Sequence, residues 1–219
     1  MHILKRMLQD QIWIWGCLIY FNYFKLTCEG AEHLPKDSPY LLVANHASHL
    51  DGPAIIAAHG CHMYKVHSLA AKDYFFDHPL KDWFCRHVLN MIPVDRCSGS
   101  LQSFRECEQA IYHGKILLIF PEGGRSLTGQ LQDLKLGFGM MALKLGVPIV
   151  PVYIQGSYKA LPKGQLFPQQ YPIQVCFGPP IDLISYRDKV GTLTKRQLYQ
   201  AIVNQVKKSI EDLEHQMTL

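Results

Sequence analysis

Short apolar runs separated by helical segments are the feature that most constrains the fold of this chain. The clearest run is KILLIF at residues 115–120, and similar runs occupy residues 39–44, 66–71, 147–154 and 173–177. Runs of this length, bounded by glycine, proline or charged residues, are typical of buried strands. Because helical segments alternate with them, we predict an α/β domain with a mostly parallel or mixed central sheet flanked by helices.

The helical segments carry apolar side chains at intervals of three and four residues. One segment begins near residue 54, and the others cover residues 74–89, 101–113, 135–145 and 195–214. We expect Ser100 to cap the third of these, and Thr194 with Gln197 to form a capping box for the last. Two prolines, Pro148 and Pro151, predict that the strand at 147–154 lies at a sheet edge or is bulged.

Composition and charge limit the classes of function. A chain of 219 residues with 48% hydrophobic residues is long enough and apolar enough for one sizeable folded domain. The net charge of +4 suits an anionic lipid surface or a phosphorylated ligand. No run of five basic residues occurs, and we therefore predict no nucleic-acid partner.

The cysteines indicate a reducing compartment and no metal site. Seven cysteines occur at irregular spacing without a C-x-x-C pair, so disulfides are not expected. His59, Cys61 and His62 form the sequence HGCH, but a second pair of ligands is not evident. We predict no metal and no organic cofactor.

The amino-terminal segment predicts a membrane contact. Residues 12–24, IWIWGCLIYFNYF, are too short to span a bilayer and are rich in aromatic rings, which favour the lipid–water boundary. With Lys5, Arg6 and Lys25 near headgroups, we predict an amphipathic interfacial helix at residues 1–25 and a catalytic domain at 26–219. Such a protein is peripheral or monotopic, and we place it on the cytoplasmic face. A signal peptide and an ordinary core helix are the alternatives.

The heptad NHASHLD at residues 45–51 follows the first internal strand and holds two histidines. His46 leaves the strand first, and the turn can fold Asp51 back towards it, whereas His49 and Asp51 face each other poorly. A carboxylate on one imidazole nitrogen prepares the other nitrogen to act as a base. We therefore assign the base to His46. No G-x-S-x-G elbow supports Ser48 as a nucleophile.

Three further segments are predicted to join this heptad at one crevice. They are NMIPVDR at 90–96, FPEGGRS at 120–126 and VPIVPV at 147–152. In open α/β sheets, ligands gather beyond the carboxyl ends of strands. His46, Asp51, Glu122 and Arg125 are therefore expected to share a site.

The four segments, in this order, resemble the motif blocks of the glycerolipid acyltransferases, in particular the 1-acyl-sn-glycerol-3-phosphate acyltransferases. The resemblance rests on His46-x4-Asp51, the block ending at Arg96, Pro-Glu-Gly-Gly-Arg at 121–125 and Val-Pro-Ile-Val-Pro at 147–151. It implies transfer of a fatty acyl group from acyl-CoA or an acyl carrier protein to a lysophospholipid hydroxyl.

The resemblance also implies roles for individual residues. His46 matches the catalytic histidine and Asp51 its partner, while Glu122, Gly123 and Arg125 match the block associated with acceptor binding. Gly124 stands where the commonest version of that block has threonine. Lys72 occupies the place of a lysine that helps to hold phosphate in many members.

The sequence allows two roles for each cationic residue and for Glu122. Lys72, Arg96 and Arg125 can form a cradle for the acceptor phosphate, or each can pair with a nearby acid. Backbone N–H groups of Gly123 and Gly124 can bind an oxyanion or a phosphate. We expect Glu122 to orient its neighbours rather than to act as a second base.

Three other functions stay open from the sequence. They are transfer to a lysolipid that lacks phosphate, hydrolysis in which water replaces the alcohol, and a catalytically silent lipid-binding module.

Overall fold

The computed structural model describes residues 2–37, 39–95 and 101–218. The strands are β1 (Thr27–Glu29), β2 (Leu41–Ala44), β3 (Val66–Ala71), β4 (Met91–Val94), β5 (Ile116–Ile119), β6 (Ile149–Gln155) and β7 (Gln174–Phe177). Within the described residues they form one seven-stranded sheet in the order β1-β7-β6-β2-β5-β3-β4. Neighbouring strands are parallel except β6 and β7. The predicted α/β class with a mostly parallel sheet is confirmed.

Helices connect these strands and cover the sheet. They are α1 (His2–Asn22), α2 (Asp51–His59), α3 (Lys72–Phe75), α4 (Pro79–His87), α5 (Leu101–Tyr112), α6 (Leu136–Leu145), α7 (Ser157–Ala160), α8 (Ile184–Arg187) and α9 (Lys195–Thr218). Single 3-10 turns occur at Ala31–His33 and Met63–Lys65.

The core has two halves because strand side chains alternate between the faces of the sheet. Leu42 and Ala44 of β2 pack in the half that contains side chains of α1 and α2. Leu41 and Val43 pack in the other half, beneath α5, α6 and α9. All four are fully buried, which accounts for the uninterrupted apolar character of the run.

The helix predicted over residues 74–89 is interrupted, so that prediction is wrong in its middle. His78 precedes Pro79 and has an extended backbone, with φ −135° and ψ 138°. A residue before proline is disfavoured in the helical region, because the proline ring crowds its backbone. His78 instead caps α4, since its Nδ1 accepts a hydrogen bond from the N–H of Leu80 at 3.3 Å.

The prediction that the proline-containing strand lies at an edge or is bulged is also wrong. β6 lies between β7 and β2, and its register with β2 is continuous from Leu41–Ile149 to Ala44–Val152. The carbonyl of Pro151 faces β7 and accepts from the N–H of Gly178, just beyond the end of that strand. The missing N–H of Pro151 therefore costs one bond at the margin of the ladder.

Capping explains where the last helix begins. Thr194 Oγ1 accepts from the N–H of Gln197 at 3.3 Å, and Gln197 Oε1 accepts from the N–H of Thr194 at 2.9 Å. This reciprocal pair confirms the predicted capping box. The predicted cap at Ser100 lies outside the described residues.

The amino-terminal segment is helical, as expected, and is apolar on two faces. Tyr20 and the following Phe24 are buried in the same core half as β2, whereas Trp15 is 62% exposed and Ile19 is 51% exposed. Among the described residues, no helix is both long and apolar enough to cross a membrane. The division into 1–25 and 26–219 stays a prediction.

Candidate active site

The loop between β2 and α2 holds an imidazole–carboxylate pair. His46 Nδ1 lies 2.9 Å from Asp51 Oδ2, and the Asp51 side chain is completely buried. A carboxylate only accepts hydrogen bonds, so Nδ1 carries the proton and donates it to Oδ2. The lone pair of Nε2 is then free to accept a proton. The His46 side chain keeps 19% of its surface exposed, which lets a substrate reach it.

Asp51 also holds the loop in its tight shape. Its Oδ2 accepts from the N–H of Ala47 at 2.7 Å and from the N–H of Ser48 at 2.8 Å. Both are backbone groups that the turn would otherwise leave unsatisfied in a buried position. One carboxylate therefore closes the loop and orients the ring of His46.

Asn45 fixes the start of this loop to the sheet. Its side-chain amide donates to the carbonyl of Ile154 at 2.8 Å and accepts from the N–H of the same residue at 2.8 Å. Asn45 is buried, so the two bonds continue the β2–β6 pairing by one side chain. The backbone that leads into His46 is therefore fixed to the sheet.

The segment after β5 clamps His46 from the other side. The ring of Phe120 stacks on the imidazole with centroids 4.1 Å apart and planes inclined by 19°. Glu122 Oε1 accepts from the N–H of His46 at 2.7 Å, and the carbonyl of His46 accepts from the N–H of Ser126 at 2.8 Å. Ring, amide and carbonyl of His46 are all held by residues 120–126.

Glu122 is arranged as a structural acceptor. Its Oε1 takes the His46 amide, and its Oε2 accepts from the backbone N–H and the side-chain Nε2 of Gln132 at 3.2 and 2.8 Å. Burial raises the pKa of Glu122, and the donors from His46 and Gln132 oppose that rise. With both oxygens occupied by N–H donors, Glu122 is suited to orient the loop.

The glycines of the third block contribute unequally. Gly123 has φ 77°, a left-handed conformation that favours glycine, and its N–H donates to the carbonyl of Phe120 at 3.2 Å. Its N–H is therefore engaged within the turn, which leaves Gly124 as the better donor to a ligand. A Cβ added to Gly124 would meet open space, so crowding does not restrict this position to glycine.

The second histidine of the heptad bonds to Tyr74. His49 Nε2 lies 3.1 Å from the hydroxyl of Tyr74, and its ring contacts the rings of Tyr74 and Phe75. Burial and, to a smaller extent, the positive charge of Arg125 together lower the pKa of His49 to about 4. His49 is therefore neutral near pH 7 and attached to α3.

Two of the three predicted cations, Lys72 and Arg125, follow strands that end at the same edge of the sheet. β2, β5, β3 and β4 are parallel neighbours, so the segments that follow them lie at one edge. Lys72 follows β3 and is exposed, and Arg125 follows β5 and is half-buried. Arg96 follows β4 but lies outside the described residues. The oxygens of Glu122 bond to His46 and Gln132 rather than to Arg125.

The two histidines of the HGCH segment contact different partners. His59 bonds to Tyr40, whereas Nδ1 of His62 lies 3.5 Å from Asp10 and its ring lies tilted against that of Trp13. Over residues 2–37, 39–95 and 101–218, no group of three or more potential ligands converges on a possible metal position.

Sequence reasoning missed three residues that position the pair. Asn45 and Phe120 lie at the ends of buried apolar runs and close to predicted site residues. Their positions in the sequence could therefore have identified them. Gln132 lies in an irregular segment ten positions after Glu122, where no pattern marks it. Its role depends on a turn that only the folded chain reveals.

Comparisons with known proteins agree with the resemblance drawn from the motifs, which is confirmed. Residues 25–155 match the model of the family described as Acyltransferase. The chloroplastic 1-acyl-sn-glycerol-3-phosphate acyltransferase LPAT1 of Arabidopsis thaliana is 29% identical over 154 residues, covering 69% of this chain and 42% of LPAT1. A probable 1-acyl-sn-glycerol-3-phosphate acyltransferase of Mycoplasma pneumoniae is 32% identical over 180 residues, covering 77% and 66%.

A solved structure shares the fold. The 1-acyl-sn-glycerophosphate acyltransferase PlsC from Thermotoga maritima superposes with a TM-score of 0.67 at 27% identity, covering 96% of this chain and 78% of PlsC. The chain spans less than half the length of three of the plant and algal relatives that it matches.

The low pKa of His49 predicts a pH dependence of stability. The pKa of an unfolded histidine is 6.5, whereas the pKa of His49 in the folded protein is about 4. Between these values the unfolded chain binds more protons, so the free energy of unfolding should fall as the pH is lowered from 6.5 to 4. The stability that the neutral His49 ring contributes is fully present above pH 6.5.

Two measurements check this prediction. An NMR titration should give a midpoint near 4 for the His49 ring, and urea unfolding should show a smaller loss of stability on acidification in His49→Gln than in the wild type. A His49 midpoint near 6.5 would contradict the assignment.

Proposed function

Since the chain belongs to the acyltransferase family, we propose that it transfers a fatty acyl group from an acyl thioester to the hydroxyl of a lysophospholipid. The acceptor that we propose is 1-acyl-glycerol-3-phosphate, which gives phosphatidate. The observation that carries the proposal is the 2.9 Å bond between His46 and the buried Asp51 at the carboxyl edge of the sheet. The names of the relatives point to the same acceptor.

The proposed reaction needs one base and no covalent enzyme intermediate. Nε2 of His46 takes the proton of the acceptor hydroxyl as its oxygen attacks the thioester carbonyl. The carbon–sulfur bond then breaks, and the proton passes to the leaving thiolate. A positioned base contributes a rate factor of about 10²–10⁴. Asp51 holds the Nδ1–H tautomer and stabilises the imidazolium that forms during transfer.

Charged and backbone groups beside His46 suit a phosphorylated acceptor. Arg125 lies close enough to the heptad for its charge to lower the pKa of His49, and Glu122 is occupied elsewhere. A guanidinium binds phosphate with two parallel hydrogen bonds, and an exposed lysine such as Lys72 adds a point charge. We propose that the N–H of Gly124 donates to the oxyanion or to the phosphate.

The outer face of α1 supports a membrane contact for this enzyme. Met7, Trp15, Leu18, Ile19 and Phe21 are exposed large apolar residues on this helix. Its polar Gln9 is instead buried and donates to the carbonyl of Val88 at 2.9 Å. An exposed apolar face on a helix with basic residues near its ends is suited to the membrane interface. The free cysteines fit a location on the cytoplasmic face.

The catalytic assignment predicts different outcomes for the two histidines. Thiol release from acyl-CoA in the presence of lysophosphatidate should fall about 10²–10⁴-fold in His46→Ala. His49→Gln, which removes the other imidazole of the heptad, should keep most of the turnover. Near-wild-type turnover in His46→Ala would contradict the mechanism.

The same assay distinguishes the acceptors. A rate that is equal with lysophosphatidate and with monoacylglycerol would argue against a phosphate site while keeping acyl transfer. Free fatty acid released without any acceptor would indicate a hydrolase. Acylated acyl carrier protein can replace acyl-CoA as the donor in a parallel reaction.

The membrane assignment predicts weaker binding when the outer face of α1 is made polar. Trp15→Ser with Leu18→Ser should reduce co-flotation with vesicles of phosphatidylcholine and phosphatidylglycerol by about tenfold or more, because apolar burial in lipid is lost. Tyr112→Ser on α5 is the matched control, since Tyr112 is 86% exposed. Equal flotation of both variants would exclude α1 as the main contact. Truncation before residue 26 is less informative, because it removes the buried Tyr20 and Phe24.

A further inference from the structure

A tyrosine of α1 bonds directly to the loop that carries the imidazole–carboxylate pair. The hydroxyl of Tyr20 donates to the carbonyl of Leu50 at 3.0 Å. Tyr20 is only 5% exposed, and its ring packs beside that of Phe24. The contact joins residues that are 30 positions apart, and it links the amino-terminal helix to the residue immediately before Asp51.

The acceptor of this bond belongs to the peptide unit that sets the position of Asp51. Leu50 is the N-cap of α2, and its carbonyl also accepts from the N–H of Ala54 at 3.0 Å. At the other end of the same peptide, the N–H of Asp51 donates to the carbonyl of Ser48 at 3.3 Å. Rotation of this peptide would move the Asp51 carboxylate relative to the ring of His46.

The chemical state of Tyr20 suits it to be a permanent donor. Burial raises the pKa of Tyr20 well above its usual range, and the nearby negative charge of Asp51 raises it further. The hydroxyl therefore keeps its proton at neutral pH. A carbonyl oxygen can only accept, so the direction of the bond is fixed.

Other external supports of the loop come from β6, the segment after β5, α3 and the residue that follows α7. Asn45 bonds to Ile154 in β6, and Ser48 Oγ donates to the carbonyl of Leu161, just after α7. Tyr20 is the support that comes from α1. It holds the carboxyl-terminal end of the loop, whereas Asn45 holds its start.

We propose that Tyr20 is a positioning residue for acyl transfer, because its hydroxyl fixes the Leu50–Asp51 peptide and thereby aligns the carboxylate that orients His46. This inference rests on the proposed function. It makes α1 a part of the catalytic scaffold as well as the proposed membrane contact. Alignment of the base and attachment to lipid then depend on opposite faces of one helix.

Two matched tyrosine variants test the proposal. Tyr20→Phe keeps the buried ring and removes the donor, and we expect kcat for acyl-CoA with lysophosphatidate to fall roughly three- to tenfold. The KM for lysophosphatidate should not change, since Tyr20 is buried and its hydroxyl is bonded to Leu50. Tyr23→Phe is the control: its hydroxyl is exposed and bonds to Pro168 at 3.5 Å, away from the loop. Its kcat should equal that of the wild type.

A double-mutant cycle separates positioning from a general loss of structure. If Tyr20 acts through Asp51, Tyr20→Phe should have no further effect on the residual rate of Asp51→Asn. Urea unfolding of each variant establishes that it is folded at the assay temperature. An unchanged kcat in Tyr20→Phe, or the same fractional loss in both backgrounds, would overturn the inference while wild-type acyl transfer stands. A wild-type protein without acyl transfer would instead contradict the proposed function, and the inference with it.

Discussion

The buried carboxylate of Asp51 is the group on which the rest of the site depends. A charged oxygen removed from water is stable only when hydrogen bonds replace the lost solvent. Three N–H groups supply them to Oδ2, two from the backbone at Ala47 and Ser48 and one from the imidazole of His46. Because the same oxygen closes the turn and holds the ring, loop shape and base orientation cannot be changed separately.

The sheet makes this arrangement rigid. Asn45 extends the pairing of β2 with β6, while Glu122 and Ser126 after β5 bind the amide and carbonyl of His46. These strands are adjacent and parallel, so their carboxyl ends deliver these three supporting groups to one edge. A histidine held at its ring and at both backbone groups loses little further freedom when a substrate binds, which is the advantage of a preorganised site.

Much of this architecture could be predicted from local sequence patterns, and the exceptions have physical causes. The apolar runs and the Thr194–Gln197 capping box depend on neighbours in sequence, and both are observed in the structure. The break at His78–Pro79 was predictable in principle from the steric effect of proline, but the apolar stripe obscured it. The interior place of β6 was not predictable, because the harmless loss of the Pro151 N–H depends on where the neighbouring strand ends.

Local sequence patterns also predict only part of the site. The spacing of His46 and Asp51 within one loop made their pairing predictable, whereas the bonds from Gln132 and Tyr20 join segments whose proximity depends on the whole fold. The most direct measurement of the central claim is the tautomer of His46, read from nitrogen NMR of the imidazole ring and assigned by its absence in His46→Gln. The account predicts that the neutral ring carries its proton on Nδ1 and leaves Nε2 bare. A proton on Nε2 in the neutral ring would contradict it.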